Sequence, residues 1–334
     1  MPDLHQVASQ LVTTGRGILA ADESIKTMTA RLTAEGIEGS KANRRDYREL
    51  LLTAPGLSDT ISGIILSDET FCDSLAGGRP FPEACRDRGV LPGVKVDTGT
   101  SPLPKGDGAT VTEGLDGLGA RLATYAQAGA AFAKWRAVID VTTMSAYSLE
   151  ANAHALGRYA ALCQEHGIVP IVEPEVLCDG PHDIEKSTEA TEATLAEVFA
   201  QLECNRVDLG GMVLKPNMVT PGLDGFPVSS QAVAVTTVRV LGAHVPPSVP
   251  GVSFLSGGHS NEQACEYLGV INEQAGSAPW ALTFSFGRAL VSDALRTWQG
   301  EPDNVDAAQQ ALLSNCRRAS EALARRPAHA AGSR

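Results

Sequence analysis

The 334-residue chain has no excess of positive charge: 27 lysines and arginines against 39 aspartates and glutamates leave a formal net charge of −12. That excludes a diffuse basic surface for nucleic acid or anionic lipid, so an anionic ligand must find a local cationic pocket. No apolar run approaches the ~20 residues needed to cross a bilayer. The segment Met1-Pro2-Asp3-Leu4-His5 lacks the basic and apolar parts of an export signal. The expected setting is the cytoplasm, with no membrane partner. Seven cysteines are scattered at 72, 85, 163, 178, 204, 265 and 316, with no Cys-x-x-Cys pair for zinc or redox chemistry. They are expected to be reduced thiols. The seven histidines do not gather at strand-like runs, so no metal is expected. No Gly-x-Gly-x-x-Gly follows the first such run, which argues against an open dinucleotide-binding sheet. No low-complexity linker divides the chain, which favours one domain over residues 1–334.

What is present describes a packed core: 43% hydrophobic residues with 20% charged. Eight short β-like runs occupy residues 17–22, 62–67, 93–97, 133–138, 169–175, 211–216, 251–256 and 280–285. Alanine- and leucine-rich stretches with helical periodicity, such as 149–165, 184–203 and 263–274, lie between them. Eight repeats of strand then helix predict an α/β fold, a parallel (β/α)8 TIM barrel. Residues before about 15 read as an extra helix, and those from about 300 to 334 as a helical tail whose end is expected to fray.

In such a barrel the chemistry sits at the carboxyl ends of the strands. There the apolar runs carry Asp22, Lys95, Lys134, Arg136, Glu173, Glu175 and Lys215. Residues two apart on a strand share a face, so Lys134 with Arg136, and Glu173 with Glu175, are expected to point together into the barrel. Any one of these could be a solvated strand end or a buried ion pair. Seven of them on neighbouring strands demand charge burial of the kind found at active sites. A strand-end lysine can attack a ketone as the free amine and form an iminium that withdraws electrons from an adjacent carbon–carbon bond. With an unperturbed pKa of about 10.4, only about one lysine in 2,500 is neutral at pH 7. An apolar flank and a second cation, Lys134, are expected to favour the free amine at Lys215, with the glutamates as proton shuttles. Loops after the seventh and eighth strands often bind phosphate. Here those ends read Ser256-Gly257-Gly258 and Ser285-Phe286-Gly287-Arg288, with Arg288 offering a fork that suits phosphate.

The runs Gly17-Ile18-Leu19-Ala20-Ala21-Asp22-Glu23-Ser24, Phe132-Ala133-Lys134-Trp135-Arg136 and Pro170-Ile171-Val172-Glu173-Pro174-Glu175 belong to a larger pattern. With Leu214-Lys215-Pro216-Asn217-Met218, Phe254-Leu255-Ser256-Gly257-Gly258 and Ala281-Leu282-Thr283-Phe284-Ser285-Phe286-Gly287-Arg288, they resemble class I fructose-bisphosphate aldolases, in the family's order. The resemblance implies that Lys215 forms the Schiff base, Glu173 acts as general acid and base, and Glu175 and Lys134 are its electrostatic neighbours. It implies that Asp22 takes the C4 hydroxyl proton. Ser256, Gly257 and Arg288 would hold the C1 phosphate, in a loop shaped by Ser285 and Gly287. Ser24, Lys95 and Arg136 would face the C6 phosphate, with Thr27 retaining a hydroxyl there and Arg31 near the entrance. It further implies no cofactor beyond the covalent imine, a phosphosugar substrate, and a homo-oligomer, usually a tetramer.

The chain departs from the family where Lys26-Thr27 replaces Gly-Ser, Ala30 replaces lysine and Thr98 replaces lysine. That bears on the choice between fructose 1,6-bisphosphate and fructose 1-phosphate. Animal members use a terminal tyrosine for proton exchange, whereas the last tyrosine here is Tyr267. Glu173 is expected to do that work, and residues 327–334 to be dispensable. The rival readings are a metal-dependent aldolase and a non-catalytic phosphosugar-binding protein.

Overall fold

Eight parallel strands close into a barrel in the computed structural model, which describes residues 3–324. They are β1 (Gly17–Ala21), β2 (Ile61–Leu66), β3 (Leu91–Lys95) and β4 (Phe132–Ile139). The second half comprises β5 (Val169–Val176), β6 (Val213–Leu214), β7 (Gly251–Phe254) and β8 (Ala281–Phe286). Each strand pairs with its sequence neighbour, and β8 closes on β1 with Ile18 opposite Ser285 and Leu19 opposite Phe286. This is the TIM barrel read from the strand–helix alternation. Helical crossovers cover the outside, so strands are buried on both faces and read as continuous apolar runs. All six residues of β2 are buried, for example.

Polar caps set where the covering helices begin. Ser145 caps Ala146–Glu165, Asp183 caps Ile184–Cys204 and Ser260 caps Asn261–Ala275, each side chain accepting a backbone N–H of the first turn. Two of these helices therefore start a few residues before the apolar periodicity that revealed them.

The amino end of the barrel is sealed and apolar. The helix Leu4–Leu11 lies beneath it, and Val7, Leu11 and Val12 pack with Ile18, Ile65, Phe132, Ile171 and Val213. The Ser62 hydroxyl donates to Leu11 O at 2.6 Å and fixes this plug. Gly93 admits the Phe132 ring to the interior, since a Cβ there would come within 2.2 Å of it. The charged side chains carried by the strands thus gather at the opposite, carboxyl end.

Several features differ from the sequence expectation, among them β7, which ends at Phe254 and not at Ser256. β6 holds only Val213–Leu214 instead of residues 211–216, because Gly211 belongs to a 3-10 turn and Pro216 has no N–H for the ladder. β3 begins at Leu91, two residues early, and ends at Lys95. The connection after β3 forms a small antiparallel pair, Thr100–Pro102 with Thr110–Thr112, held to the outer end of β4 by Thr112 Oγ1 donating to Arg136 O at 2.8 Å. The helix Val305–Leu323 follows the barrel and docks on Lys41–Leu52, with Gln309 Nε2 donating to Leu50 O. The fraying end and the dispensable segment 327–334 lie outside the described residues. Among the described residues, no helix is long and apolar enough to cross a membrane.

Candidate active site

A cleft of about 520 Å³ opens at the carboxyl end of the barrel. Every side chain singled out above for chemistry lines it. β1 leads to Asp22, Ser24, Thr27 and Arg31; β3 supplies Lys95; β4 supplies Lys134 and Arg136; β5 supplies Glu173 and Glu175. Lys215 follows β6, Ser256, Gly257 and Gly258 follow β7, and Ser285, Gly287 and Arg288 complete the wall at β8.

At the floor a chain of alternating charges crosses the barrel. Lys215 Nζ lies 2.9 Å from Glu173 Oε1, Lys134 Nζ lies 3.0 Å from Glu173 Oε2, and Lys134 Nζ lies 2.7 Å from Asp22 Oδ2. Lys134, Glu173 and Lys215 are each at most 4% exposed. The second cation expected beside Lys215 is present, with a carboxylate between the two. Glu173 Oε2 is within ion-pair distance of Lys134 but off the hydrogen-bond direction, so this buried oxygen keeps an open acceptor site.

The field of these cations decides the ionisation of the carboxyls. Burial pushes Asp22 up, but Lys134, Lys215 and Lys95 outweigh it and hold it at about 2. Burial likewise opposes ionisation of Glu173, and Lys134, Lys215 and Arg136 together bring it below the usual carboxylate range. Lys134 is pushed well above its ordinary value: burial disfavours its charge, and Asp22 and Glu173 more than compensate. Lys134 is therefore a fixed cation.

The β7–β8 side presents N–H groups and a cation toward the cleft. Gly257 and Gly258 have φ of +57° and +88°, and a Cβ on Gly257 would meet Cys178 Sγ at 2.9 Å, so the turn requires glycine. The helix Arg288–Trp298 begins at Gly287 without a side-chain cap, leaving its first N–H groups and dipole free for a ligand. The Ser285 hydroxyl is buried without a hydrogen-bond partner. Arg288 is exposed and pairs with no carboxylate among the described residues.

The opposite side is differently wired. Ser24 caps the helix Ile25–Ala34, with its hydroxyl 3.0 Å from that of Thr27. Arg31 pairs with Glu23, Lys95 with Asp97 and Arg136 with Glu175.

Glu23, Asp97 and Arg48 were not singled out from the sequence. Asp97 is buried, binds Lys95 and accepts the Arg136 N–H; its place two residues after Lys95 was a readable signal. Arg48, 1% exposed in the helix Lys41–Leu52, donates to Ala21 O at 2.8 Å and Glu23 Oε2 at 2.6 Å, so it anchors the end of β1. Nothing in a helical pattern distinguishes it from a surface arginine. His259 packs behind the Ser-Gly-Gly turn against Thr220 and the Tyr267 ring and does not line the cleft.

Comparison with known proteins agrees with this geometry. The family described as fructose-bisphosphate aldolase class-I matches residues 3–332. The chain is 51% identical to a cytoplasmic fructose-bisphosphate aldolase isozyme of Cicer arietinum, covering 94% of this chain and 89% of the relative. It is 49% identical to the cytosolic fructose-bisphosphate aldolase 6 of Arabidopsis thaliana, over 94% and 88%. A Plasmodium falciparum fructose-bisphosphate aldolase, solved with TRAP and a small-molecule inhibitor, superposes with a TM-score of 0.94 at 45% identity, covering 96% of this chain and 93% of its own. Matched over nearly its whole length by the family's own pattern and about half identical to such relatives, the chain belongs to the class-I fructose-bisphosphate aldolase family.

Proposed function

We propose that Lys215 carries the aldol cleavage as a covalent imine, with Glu173, Lys134 and Asp22 handling its protons. The observation that carries the reading is the charge chain Lys215–Glu173–Lys134–Asp22. Glu173 accepts the proton that frees the Lys215 amine, and the amine attacks C2 of the open-chain ketose. The resulting carbinolamine loses water as Glu173 returns the proton to the departing hydroxyl, which leaves a cationic iminium. Deprotonation of the C4 hydroxyl breaks the C3–C4 bond; the electron pair flows into the iminium and gives a neutral enamine and glyceraldehyde 3-phosphate. Protonation at C3 and hydrolysis then release dihydroxyacetone phosphate.

The charge chain gives this cleavage a driving element. Lys215 is one of the cations that hold Asp22 and Glu173 ionised. As the bond breaks, its nitrogen passes from cationic iminium to neutral enamine, so both carboxylates become stronger bases when a proton must be accepted. Asp22, held at about 2 in the free protein, is too weak a base to retain that proton beforehand. It is suited to orient the C4 hydroxyl and to take its proton only as the field of Lys215 collapses. Glu175 serves by keeping Arg136 in place. Ser256, Gly257, Gly258, Ser285, Gly287 and Arg288 fit the C1 phosphate; Ser24, Thr27, Arg31, Lys95 and Arg136 fit the far end of the ketose.

No metal takes part in this scheme. The relatives' cytoplasmic and cytosolic names support the same compartment here, as do seven free cysteines. A homotetramer is the assembly the family resemblance favours, and sedimentation velocity reads it directly. The central test is borohydride reduction in the presence of dihydroxyacetone phosphate. A stable adduct on the Lys215 peptide, with activity surviving a strong chelator, is the expected result; its absence from that peptide, or inactivation by the chelator, refutes the scheme.

A further inference from the structure

The carboxylate that takes the C4 proton in the scheme above stands on backbone that no strand supports. The ladder of β1 ends at Ala21, opposite Leu66, and Asp22 lies one residue beyond it. The next element, the helix Ile25–Ala34, starts only after its cap, Ser24. One side chain grips the gap from behind. Arg48 donates from Nε to Ala21 O at 2.8 Å and from Nη2 to Glu23 Oε2 at 2.6 Å, one contact on either side of Asp22. The grip is firm, because Arg48 is 1% exposed in the helix Lys41–Leu52, whose Tyr47 donates to Val291 O at 2.9 Å and stacks on Trp298 at 5.7 Å.

Burying this guanidinium carries a penalty. Its one carboxylate partner, Glu23, is shared with Arg31, and its Nη1 is buried without a hydrogen-bond partner. For stability alone, an apolar side chain packed in the same place commonly serves as well or better. An apolar side chain cannot, however, hold two acceptors at a fixed separation, which is what a planar fork does. We infer that Arg48 is a positioning residue for carbon–carbon bond cleavage: by clamping the residues on both sides of Asp22 it sets the carboxylate where the C4 hydroxyl of the ketose must meet it. The inference rests on the imine reading above and deepens it.

Arg48 then has a part in one step only. Imine formation runs through Glu173 on β5 and Lys215 after β6, 2.9 Å apart and held by other elements. Asp22 pairs with Lys134 at 2.7 Å, and Lys134, Lys215 and Lys95 keep it ionised. Arg48 therefore governs where the carboxylate stands and not its charge.

The experiment separates the two steps. Arg48→Lys keeps a charge beside Glu23 but replaces the fork with a single point, so Ala21 O and Glu23 lose their common clamp; Arg48→Met removes both contacts. Two rates are measured on each full-length variant and on the unaltered protein: single-turnover cleavage of saturating fructose 1,6-bisphosphate, and borohydride trapping of the imine with dihydroxyacetone phosphate. Cleavage is expected to fall about tenfold or more with lysine and about a hundredfold with methionine, the scale set by a displacement of about 1 Å. Trapping is expected to stay within about threefold. Cleavage within about threefold of the unaltered protein in an Arg48→Lys variant with native circular dichroism overturns the inference. So does a proportional loss of cleavage and trapping, the mark of an arginine that only supports the fold. Should neither Arg48 variant fold, Glu23→Gln, which weakens the same clamp, is judged by the same ratio. An unaltered protein that yields no adduct defeats the imine scheme, whereas an adduct with equal losses, or with none, defeats only this inference.

Discussion

Replacing Lys134 with methionine removes the central cation of the charge chain while keeping an unbranched side chain of similar reach. Lys134 lies 2.7 Å from Asp22 and 3.0 Å from Glu173, and all three are largely buried. At an effective dielectric constant of ~20, a unit pair ~4 Å apart is worth about 4 kcal/mol, which sets the scale of either contact before desolvation is subtracted. Asp22 titrates at about 2 instead of 3.8, a displacement equivalent to roughly 2 kcal/mol of stabilisation of the folded state. The sign follows from the direction. A depressed carboxyl stabilises the fold above its unfolded-state value and loses that contribution as pH falls toward about 2. Without Lys134, burial acts on both carboxyls with one fewer cation opposing it, so both titrate higher. The expected outcome is an acid limb of kcat/KM moved up by about 1–3 pH units. A loss of about 3–5 kcal/mol in denaturant unfolding should accompany it, because two buried carboxylates lose a partner. A pH–rate profile in a coupled assay, run beside urea titrations at neutral pH, measures both. An acid limb that stays in place in a folded variant would refute the claim that Lys134 controls these ionisations.

Glu173→Gln keeps the shape of the site but removes the proton carrier, so single-turnover imine formation should slow by about a hundredfold or more, with KM changed little. Arg288→Ala removes the unpaired cation at the β8 end and should raise KM for the bisphosphate by about tenfold or more. If stopped-flow and steady-state measurements gave these two variants the same kinetic signature, the division between proton transfer and phosphate binding would be wrong. Cys72 and Cys204 are exposed and the other five cysteines are buried, and burial beside Asp68 pushes Cys72 up to about 11. Intact-mass analysis after iodoacetamide treatment at neutral pH should therefore find no more than two fast-reacting thiols, with Cys204 ahead of Cys72.

The barrel was legible because parallel strands buried on both faces leave unbroken apolar runs, and helical periodicity fills the intervals. The site was legible for a related reason: an ionisable group inside such a run, as at Lys134, Glu173 or Lys215, conflicts with its surroundings and draws notice. Where the surroundings are already polar the signal fades. Arg48 sits in Lys41-Ala42-Asn43-Arg44-Arg45-Asp46-Tyr47-Arg48, where one more arginine is unremarked, yet it is buried against Ala21 and Glu23. β6 was overestimated because apolar Gly211-Met212 and Pro216 continue its composition, while a turn and a missing N–H limit its pairing. The Thr100–Thr112 pair depends on contacts with Arg136 O and Asn152 across the fold, which local pattern does not carry. The pairing of every distal cation was hidden as well, since sequence lists charges without saying which ones meet.

The charge chain across the floor also bears on how the barrel reaches its final form. Asp22 stands at the end of β1, Lys134 three strands further round on β4, and Glu173 and Lys215 belong to the second half of the chain. A fragment ending after β4 carries Lys134 without Glu173, and one beginning at β5 carries Glu173 without Lys134. Each half keeps one ion pair, Lys134 with Asp22 or Lys215 with Glu173, but lacks the Lys134–Glu173 link between them, and each leaves open sheet edges that await the other. The contact that joins the two pairs, Lys134 with Glu173, spans the pairing of β4 with β5, so the complete charge chain exists only where both halves share one ring.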